Sequence, residues 1–346
     1  MTTRASTSSG RFLAAGSAAT LMCIALGSAS VRAQSAVEAF YKGRMIEIMI
    51  GFPPGGSYDN FARLTAAHMG KHIPGNPTFV IKNRPSGGPG VVRSFVETAP
   101  RDGSLISIMP ETIAIIQLTQ PDLGKWDVRE FRYIGSFSNV NAAFMLRKGA
   151  PAQTIEALKT IPVNVGCNNR LGQAYINPAI MKKLGGFPFN LICGYPGTNN
   201  FPPALLRGEI DLVSGAWSTW KNISAANPGE FKPVIQSGLR RHGDLLDVPL
   251  MQEVVADPNS KGIIEFLSAG SAIGRALIVP PGVPTDRLTA LRSAFDQVVK
   301  DPDFLTQASK MGIEIDPTSG AETQRISAAI LDTPSSIVQL AIQASQ

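Results

Sequence analysis

The chain has 346 residues, of which 44% are hydrophobic and 17% are charged, and its formal net charge is +6. Its basic residues are scattered rather than gathered in a stripe with exposed aromatic residues, which argues against a nucleic-acid-binding protein. The length exceeds that of a usual single core and predicts two domains or lobes.

The first 33 residues have the pattern of a cleavable signal peptide. Arg4 and Arg11 precede an apolar stretch of small residues, and Val31-Arg32-Ala33 fits the small-x-small site that signal peptidase recognises. Removal of this segment would lower the formal charge to +3, because it holds three arginines and no acidic residue. No later segment reaches the roughly 18 apolar residues that a membrane span needs. We therefore expect export of a mature chain that begins at Gln34.

Strands and helices alternate along the mature chain, which favours parallel sheets with crossover helices. In chain order, the first lobe is predicted to contain strands at 46–52, 78–82, 105–109 and 133–137, with helices at 59–73, up to 98 and up to 120. The second is predicted to contain strands at 143–146, 163–167, 190–193, 209–213 and 233–237, with helices from 154, at 173–184 and at 201–207.

The last part of the chain looks like first-lobe material again. It is predicted to contain strands at 276–279 and 313–315 and helices at 286–300, 302–312 and 322–344. We accordingly expect residues 34–142 and 238–346 to form lobe 1 and residues 143–237 to form lobe 2. Two chain crossings between the lobes would make a hinge with a cleft.

Two strand, glycine-loop and helix-start units stand out, at residues 46–59 and 163–173. In each, a β-rich run breaks into turn residues and then into a helical pattern. A helix that starts in such a turn directs unpaired backbone N–H groups and the positive end of its dipole outwards. The two units together predict a site that holds one anion from two sides.

Seven motifs then occur in order. They are residues 51–63 (GFPPGGSYDNFAR), 83–88 (NRPSGG), 99–103 (APRDG), 194–197 (GYPG), 208–211 (GEID), 247–249 (DVP) and 279–284 (VPPGVP). The series resembles the substrate-binding receptors of tripartite tricarboxylate transporters, also called Bug-type periplasmic binding proteins, over essentially the whole mature chain.

This resemblance implies a two-lobed α/β Venus-flytrap fold, with a mostly parallel sheet in each lobe and the ligand between the lobes. It implies a monomeric periplasmic receptor that binds an organic acid and delivers it to the integral membrane subunits of a transporter. The carboxylate would be held largely by backbone N–H groups, hydroxyls and water. Neither a cofactor nor an enzymatic activity is expected.

The candidate ligand-binding residues are Phe52, Gly55, Gly56, Ser57, Tyr58, Asp59, Glu111, Thr112, Cys167, Asn168, Asn169, Arg170, Gly172, Tyr195 and Trp217. The run from Gly55 to Tyr58 matches the family's first ligand loop. Asp59 matches an acidic position, although capping the helix explains it equally well, because a carboxylate repels an anionic ligand.

The remaining candidates come from a predicted helix start, which holds Glu111 and Thr112, from the second loop and from aromatic residues at strand ends. The second loop, 167–172, departs from the Gly/Ser-rich run of many relatives, and Arg170 in it could bind a second carboxylate. Phe52, Tyr58, Tyr195 and Trp217 would suit an aromatic acid, although packing explains Phe52 nearly as well. The ligand could be a mono-, di- or tricarboxylate.

Cys167 and Cys193 end two predicted neighbouring strands, and either a disulfide or two small thiols fits the pattern. No metal site is predicted, because His68 and His72 lack the glutamate of an H-E-x-x-H motif. A nucleotide-binding P-loop is disfavoured, since Ser57 stands in place of its lysine. A binding protein that signals to a sensor remains an alternative to uptake, and an enzyme that acts on a small organic acid is a less favoured one.

Overall fold

The fold has two sheets flanked by helices, as shown by a computed structural model that describes residues 1–2, 35–84, 87–168 and 172–345. The predicted signal peptide lies outside these residues, apart from Met1 and Thr2. The strands are β1 (Met45–Ile50), β2 (Thr78–Asn83), β3 (Leu105–Ile108), β4 (Arg132–Ser136), β5 (Ala142–Arg147), β6 (Val163–Cys167), β7 (Phe189–Cys193), β8 (Leu212–Ala216), β9 (Phe231–Ser237), β10 (Ala276–Val279) and β11 (Thr318–Ser319).

The helices surround both sheets. They are α1 (35–41), α2 (Ser57–His68), α3 (Gly87–Thr98), α4 (Ile113–Thr119), α5 (Ile155–Leu158), α6 (Gln173–Leu184), α7 (Phe201–Leu206), α8 (Trp217–Ala226), α9 (Pro258–Ser268), α10 (Thr285–Val298), α11 (Pro302–Lys310), α12 (Gly320–Leu331) and α13 (Ser335–Ser345). Short 3₁₀ segments lie at Gly70–His72, Thr198–Asn200, Gly243–Leu245, Met251–Glu253 and Ala269–Ala272. In the described part of the chain, none of the helices combines the length and apolar character that crossing a bilayer requires.

The strand directions correct one expectation, because both sheets are mixed rather than mostly parallel. The first sheet has the order β11-β4-β10-β3-β1-β2, in which β1 pairs in parallel with β2 and β3 while β10 runs antiparallel to β3 and β4. The second has the order β7-β6-β8-β5-β9, with β5 antiparallel to β8 and β9. The reversed strands are β5, which follows the first crossing, β10, which follows the second, and β11.

Each sheet is buried on both faces. In β1, Ile46, Ile48 and Ile50 pack into the core on one face, and Met49 packs into the core on the other. The second sheet divides β5 in the same way, with Phe144 on one face and Met145 on the other. Burial on both faces explains why the strands are near-continuous apolar runs rather than alternating ones.

The two lobes are joined by side-chain contacts beside the crossings. Asn141, in the first crossing, donates hydrogen bonds to the side chain of Gln236 at 3.0 Å and to the carbonyl oxygen of Arg240 at 2.8 Å. Helix α9 also bridges the lobes, since Ile263 packs into a first-lobe core and Ile264 into a second-lobe core. The hinge is therefore a packed structure rather than two free linkers.

Several elements differ from the sequence-based prediction. Helices α8 and α9 were not predicted, residues 313–315 are not a strand, and the predicted C-terminal helix is divided into α12 and α13. The division coincides with Pro334, whose ring disfavours helical geometry in the preceding residue. The predicted strand 209–213 is displaced, because β8 begins at Leu212.

Candidate ligand-binding site

A cleft of about 1890 Å³ lies between the two lobes. The first lobe contributes the loop from β1 to α2, the loop from β3 to α4 and the segment before β10. The second lobe contributes the loops that follow β6, β7 and β8. Of the predicted contacts, Phe52, Gly55, Gly56, Ser57, Tyr58, Glu111, Thr112, Asn168, Gly172 and Trp217 line it.

The glycine loop before α2 forms part of the first-lobe wall. Gly55 has a φ of +85°, a left-handed conformation that favours glycine. Gly56 is the N-cap of α2 and offers no side chain to cap the helix, which leaves the N–H groups of the first turn available to a ligand. A Cβ atom added to Gly56 would meet nothing closer than the carbonyl oxygen of Pro53, at 3.9 Å. The loop therefore exposes backbone to the cleft.

Asp59 stands behind this loop and does not line the cleft. Its carboxylate accepts hydrogen bonds from the Gly55 N–H at 2.9 Å, from Arg63 Nε at 2.7 Å and from Asn83 Nδ2 at 3.1 Å. Burial alone would raise the pKa of Asp59, but these hydrogen bonds outweigh it and hold the pKa below its usual value. Asp59 thus fixes the loop, whereas the sequence left helix capping and ligand contact equally open for this residue.

A buried polar network forms the first-lobe side of the cleft. Arg275 donates from Nη1 to Glu111 Oε2 at 2.8 Å and from Nε to Ser57 Oγ at 3.1 Å. Tyr58 donates its hydroxyl to the same Glu111 oxygen at 2.5 Å. The Arg275 guanidinium also lies over the Tyr58 ring, 4.2 Å from its centroid, and Phe52 stacks on the same ring with centroids 4.2 Å apart.

The protonation states of this network follow from its surroundings. Burial raises the pKa of Tyr58 far above its usual value, and the Glu111 charge adds to that effect, whereas Arg275 opposes it. Burial would lower the pKa of Arg275, but Tyr58 and Glu111 outweigh it and raise this pKa. Tyr58 is therefore a neutral hydrogen-bond donor at neutral pH, and Arg275 is a cation.

The second-lobe wall carries the start of α6. Its N-cap is Gly172, again without a side-chain cap, so the first-turn N–H groups of α6 are available on this side. Gln173, the first residue of α6, donates from Nε2 to Glu111 Oε1 of the other lobe across 3.4 Å. Asn168 Oδ1 is buried without a hydrogen-bond partner among the described residues. A buried amide of this kind is a candidate for pairing with a ligand.

Two further predicted contacts in the second lobe do not line the cleft. Cys167 is fully buried and is joined to Cys193 by a disulfide. Tyr195 packs against Phe201, with ring centroids 5.4 Å apart. The predicted contacts Asn169 and Arg170 lie outside the described residues.

The last two predicted contacts are helix starts that line the cleft. Trp217 begins α8, and its indole N–H donates to Asp244 Oδ2 at 3.0 Å, so this donor is already engaged within the protein. Thr112 is the N-cap of α4, and its side chain makes no capping hydrogen bond. Its hydroxyl can therefore serve a ligand instead of the helix.

The sequence analysis missed Arg275, the central cation of the network. This residue precedes β10, and β10 is antiparallel to β3, so its amino end lies beside the carboxyl end of β3. Gly274 makes the approach feasible, because a Cβ there would lie 1.8 Å from the Ser138 carbonyl oxygen. The Gly274-Arg275 pair before a predicted strand was the available sign of a cleft residue. It can be interpreted in that way only when the direction of the strand is known.

The histidine pair of α2 and the following 3₁₀ segment is divided between different partners. His68 Nε2 lies 2.6 Å from Gln307 Oε1, whereas His72 Nε2 lies 3.0 Å from Asp301 Oδ2. Both contacts tie the first-lobe surface to the neighbourhood of α11. They stabilise packing at a distance from the cleft lining.

Comparisons with known proteins agree with this architecture. A solute-binding protein from Polaromonas, described as TctC, superposes with a TM-score of 0.65 at 20% identity, over 87% of this chain and 99% of that one. An R. palustris protein solved with adipate gives 0.64 at 22% identity, over 86% and 97%. These likenesses confirm the two-lobed fold of periplasmic binding proteins.

Sequence comparisons extend the agreement from fold to family. A UPF0065 protein of Bordetella pertussis is 26% identical over 289 residues, covering 82% of this chain and 84% of its own length. The family model described as the tripartite tricarboxylate transporter family receptor matches residues 61–341, which is most of the chain. The resemblance drawn from the seven motifs is confirmed, and the chain belongs to the tripartite tricarboxylate transporter family of receptors.

Proposed function

We propose that this protein is a periplasmic receptor that binds an organic carboxylate in the inter-lobe cleft. The observation that carries the proposal is the pair of uncapped helix starts, at Gly56 in one lobe and Gly172 in the other, which both line that cleft. Each start offers N–H donors and a positive dipole end to an anion. The adipate in the R. palustris relative supports the same class of ligand.

Capture is proposed to proceed by closure of the lobes. Ligand held by the first lobe recruits the second-lobe loops, and the closed state is favoured by the hydrogen bonds that both walls then make. The Thr112 hydroxyl can donate to the ligand carboxylate, whereas the unpartnered Asn168 Oδ1 would gain a partner only from a donor group on the ligand or from water. We place the lobe boundaries near residues 142 and 237, where the chain passes from one sheet to the other.

The binding proposal is tested by thermal shift of the mature chain from Gln34 onward, after unfolding and refolding to remove bound ligand. The screen contains mono-, di- and tricarboxylates and aromatic acids, with sugars and amines as controls. An acid present at 100 times its Kd should raise Tm by about 3–6 °C. A shift by sugars or amines without any shift by acids would overturn the carboxylate assignment.

Delivery to a membrane transporter is proposed from family membership and needs its own test. Spheroplasts of a strain lacking the gene should fail to take up the radiolabelled acid until purified receptor is added. Restoration should depend on the integral membrane subunits. Normal uptake in the deletion strain, with loss of an acid-dependent transcriptional response, would identify a sensor instead.

A further inference from the structure

A buried cation of the cleft uses only part of its hydrogen-bonding capacity. Arg275 is 6% exposed and lines the cleft. Its Nε and Nη1 donate to Ser57, Glu111 and Tyr58, as described above. Its Nη2 donates to no other group of the described residues. A guanidinium has five N–H donors, so the two on Nη2 remain available for a ligand carboxylate.

Glu111 presents the complementary situation beside it. Its Oε2 accepts from both Tyr58 and Arg275. Its Oε1 accepts only a long 3.4 Å bond from Gln173 among the described residues. A carboxylate oxygen can accept two hydrogen bonds, so Oε1 keeps acceptor capacity on the cleft side.

The two groups together restrict the ligand. A plain carboxylate would meet an attractive arginine and a repulsive glutamate, and the charges of this pair cancel. In an acid with a hydroxyl or ammonium group on a neighbouring carbon, the carboxylate can pair with Arg275 and the hydroxyl or ammonium group can pair with Glu111. We propose that Arg275 binds the ligand carboxylate through Nη2 while Glu111 Oε1 accepts a hydrogen bond from that neighbouring donor.

The ligand class is accordingly a hydroxy acid or an amino acid rather than an unsubstituted acid. This inference rests on the proposed carboxylate-binding function and adds a chemical requirement to it. It also departs from the family expectation stated above, in which backbone, hydroxyls and water do most of the binding, because here a buried side-chain cation contacts the ligand directly.

The test uses isothermal titration calorimetry with acids that differ in one substituent. The sets are propionate, lactate and alanine; succinate, malate and aspartate; and phenylacetate, mandelate and phenylglycine. In the set that binds best, the hydroxy or amino member should bind at least about tenfold more tightly than its unsubstituted parent, the worth of one hydrogen bond to a charged group.

Two variants assign the preference to the residues. Glu111→Gln keeps the side-chain shape but offers an N–H₂ group in place of one oxygen, so the substituted and parent acids should bind within about twofold of each other. Arg275→Lys keeps the charge but loses the paired N–H donors of the guanidinium, and should weaken the binding of all members of the set at least about tenfold. Arg147→Lys is the matched control, because Arg147 also pairs with a buried carboxylate, that of Asp211, at 2.7 Å but does not line the cleft.

Each outcome decides the matter. Equal binding of parent and substituted acids by the wild type would refute the requirement for a donor and leave the carboxylate receptor standing. Unchanged affinity in Arg275→Lys would refute the arginine contact. Binding of none of these acids by the wild type would overturn the inference, whereas the proposed function would be overturned only if the wider thermal-shift screen also finds no acid. Circular dichroism and Tm establish that each variant is folded, and Glu111→Gln alone tests the preference if Arg275→Lys does not fold.

Discussion

Removal of one partner of the Arg275–Glu111 pair should destabilise the protein strongly. The two side chains are 7% and 9% exposed, and their closest atoms are 2.8 Å apart. Arg275→Met would leave the Glu111 charge buried with only Tyr58 and Gln173 as hydrogen-bond donors among the described residues. An uncompensated buried charge costs about 3–5 kcal/mol, and the lower end applies here because water can enter the cleft.

The double variant should recover most of this loss. Arg275→Met combined with Glu111→Leu removes both charges, and replacing a buried pair by apolar groups is often neutral. We therefore expect about 3 kcal/mol for Arg275→Met, a comparable loss for Glu111→Leu, and less for the double variant than for either one. Urea unfolding of ligand-free protein, followed by tryptophan fluorescence, measures the cycle.

The exposed Arg207–Glu209 pair is the matched control for this cycle. Its closest atoms are 2.6 Å apart, but its side chains are 60% and 48% exposed. Solvent screens such a pair, so its removal should leave the urea midpoint nearly unchanged. Additive losses at Arg275 and Glu111, or losses as small as those of the control, would refute the reasoning, because they would show that water already solvates the buried pair.

Four further changes have defined expectations. Gly56→Leu should abolish ligand binding without lowering Tm, because the added side chain has room but projects from the cleft wall. Gly55→Ala should lower the free energy of unfolding in urea by about 1–2 kcal/mol, because the φ of Gly55 is +85°. Replacing Cys167 and Cys193 by serine should cost about 3 kcal/mol in the same assay, since the bridge closes a loop with a sequence separation of 26. Asp59→Asn should flatten the fall in Tm below pH 5. The pKa of Asp59 is held down in the fold, so its contribution is present above the unfolded pKa of about 4 and is lost as pH falls towards the folded pKa.

Contrary results are defined for the Gly56 loop, the disulfide and the acid transition. Full ligand affinity in Gly56→Leu would exclude this loop from the site. An unchanged urea midpoint without the cysteines would mean that the bridge does not constrain the unfolded chain. Equal acid sensitivity of wild type and Asp59→Asn would show that other carboxylates control the acid transition.

The sequence predicted those elements whose limits are set by local chemistry. The strand at 163–167 and the helix at 173–184 have the observed bounds, because β-rich and helical patterns there are separated by glycine and turn residues. The strand at 276–279 is likewise bounded by Gly274 and Pro280. The glycine loop at 51–56 was recognised for the same reason, and it lines the cleft with its backbone.

The direction of a strand within a sheet is not a local property, and the errors follow from this. A buried apolar run is compatible with both parallel and antiparallel pairing. The mixed sheets could therefore not be inferred from the alternation of strands and helices alone. In β6, Val163, Val165 and Cys167 share one face and pack inwards, which explains why Cys167 supports the loop rather than lining the cleft. The alternation of side chains along the strand already predicted that Cys167 faces the core.

Arg275 and Glu111 show a stronger limit of prediction from sequence. They are 164 positions apart, and neither belongs to a motif that predicts the other. Their pairing depends on β10 entering the first sheet antiparallel to β3, which places the residue before one strand beside the residues after another. A search restricted to the carboxyl ends of predicted strands finds Glu111 and omits its partner.

The neutral charge of this pair changes how the cleft must attract an acid. The Arg275–Glu111 pair supplies no net charge, so beside this pair the attraction comes from oriented donors: the first turns of α2 and α6 and the Nη2 group of Arg275. Oriented donors act over short distances and demand correct placement of the carboxylate. Glu111 makes that demand stricter, because an anion displaced towards it is repelled. The pair therefore favours selection among acids over simple attraction of negative charge.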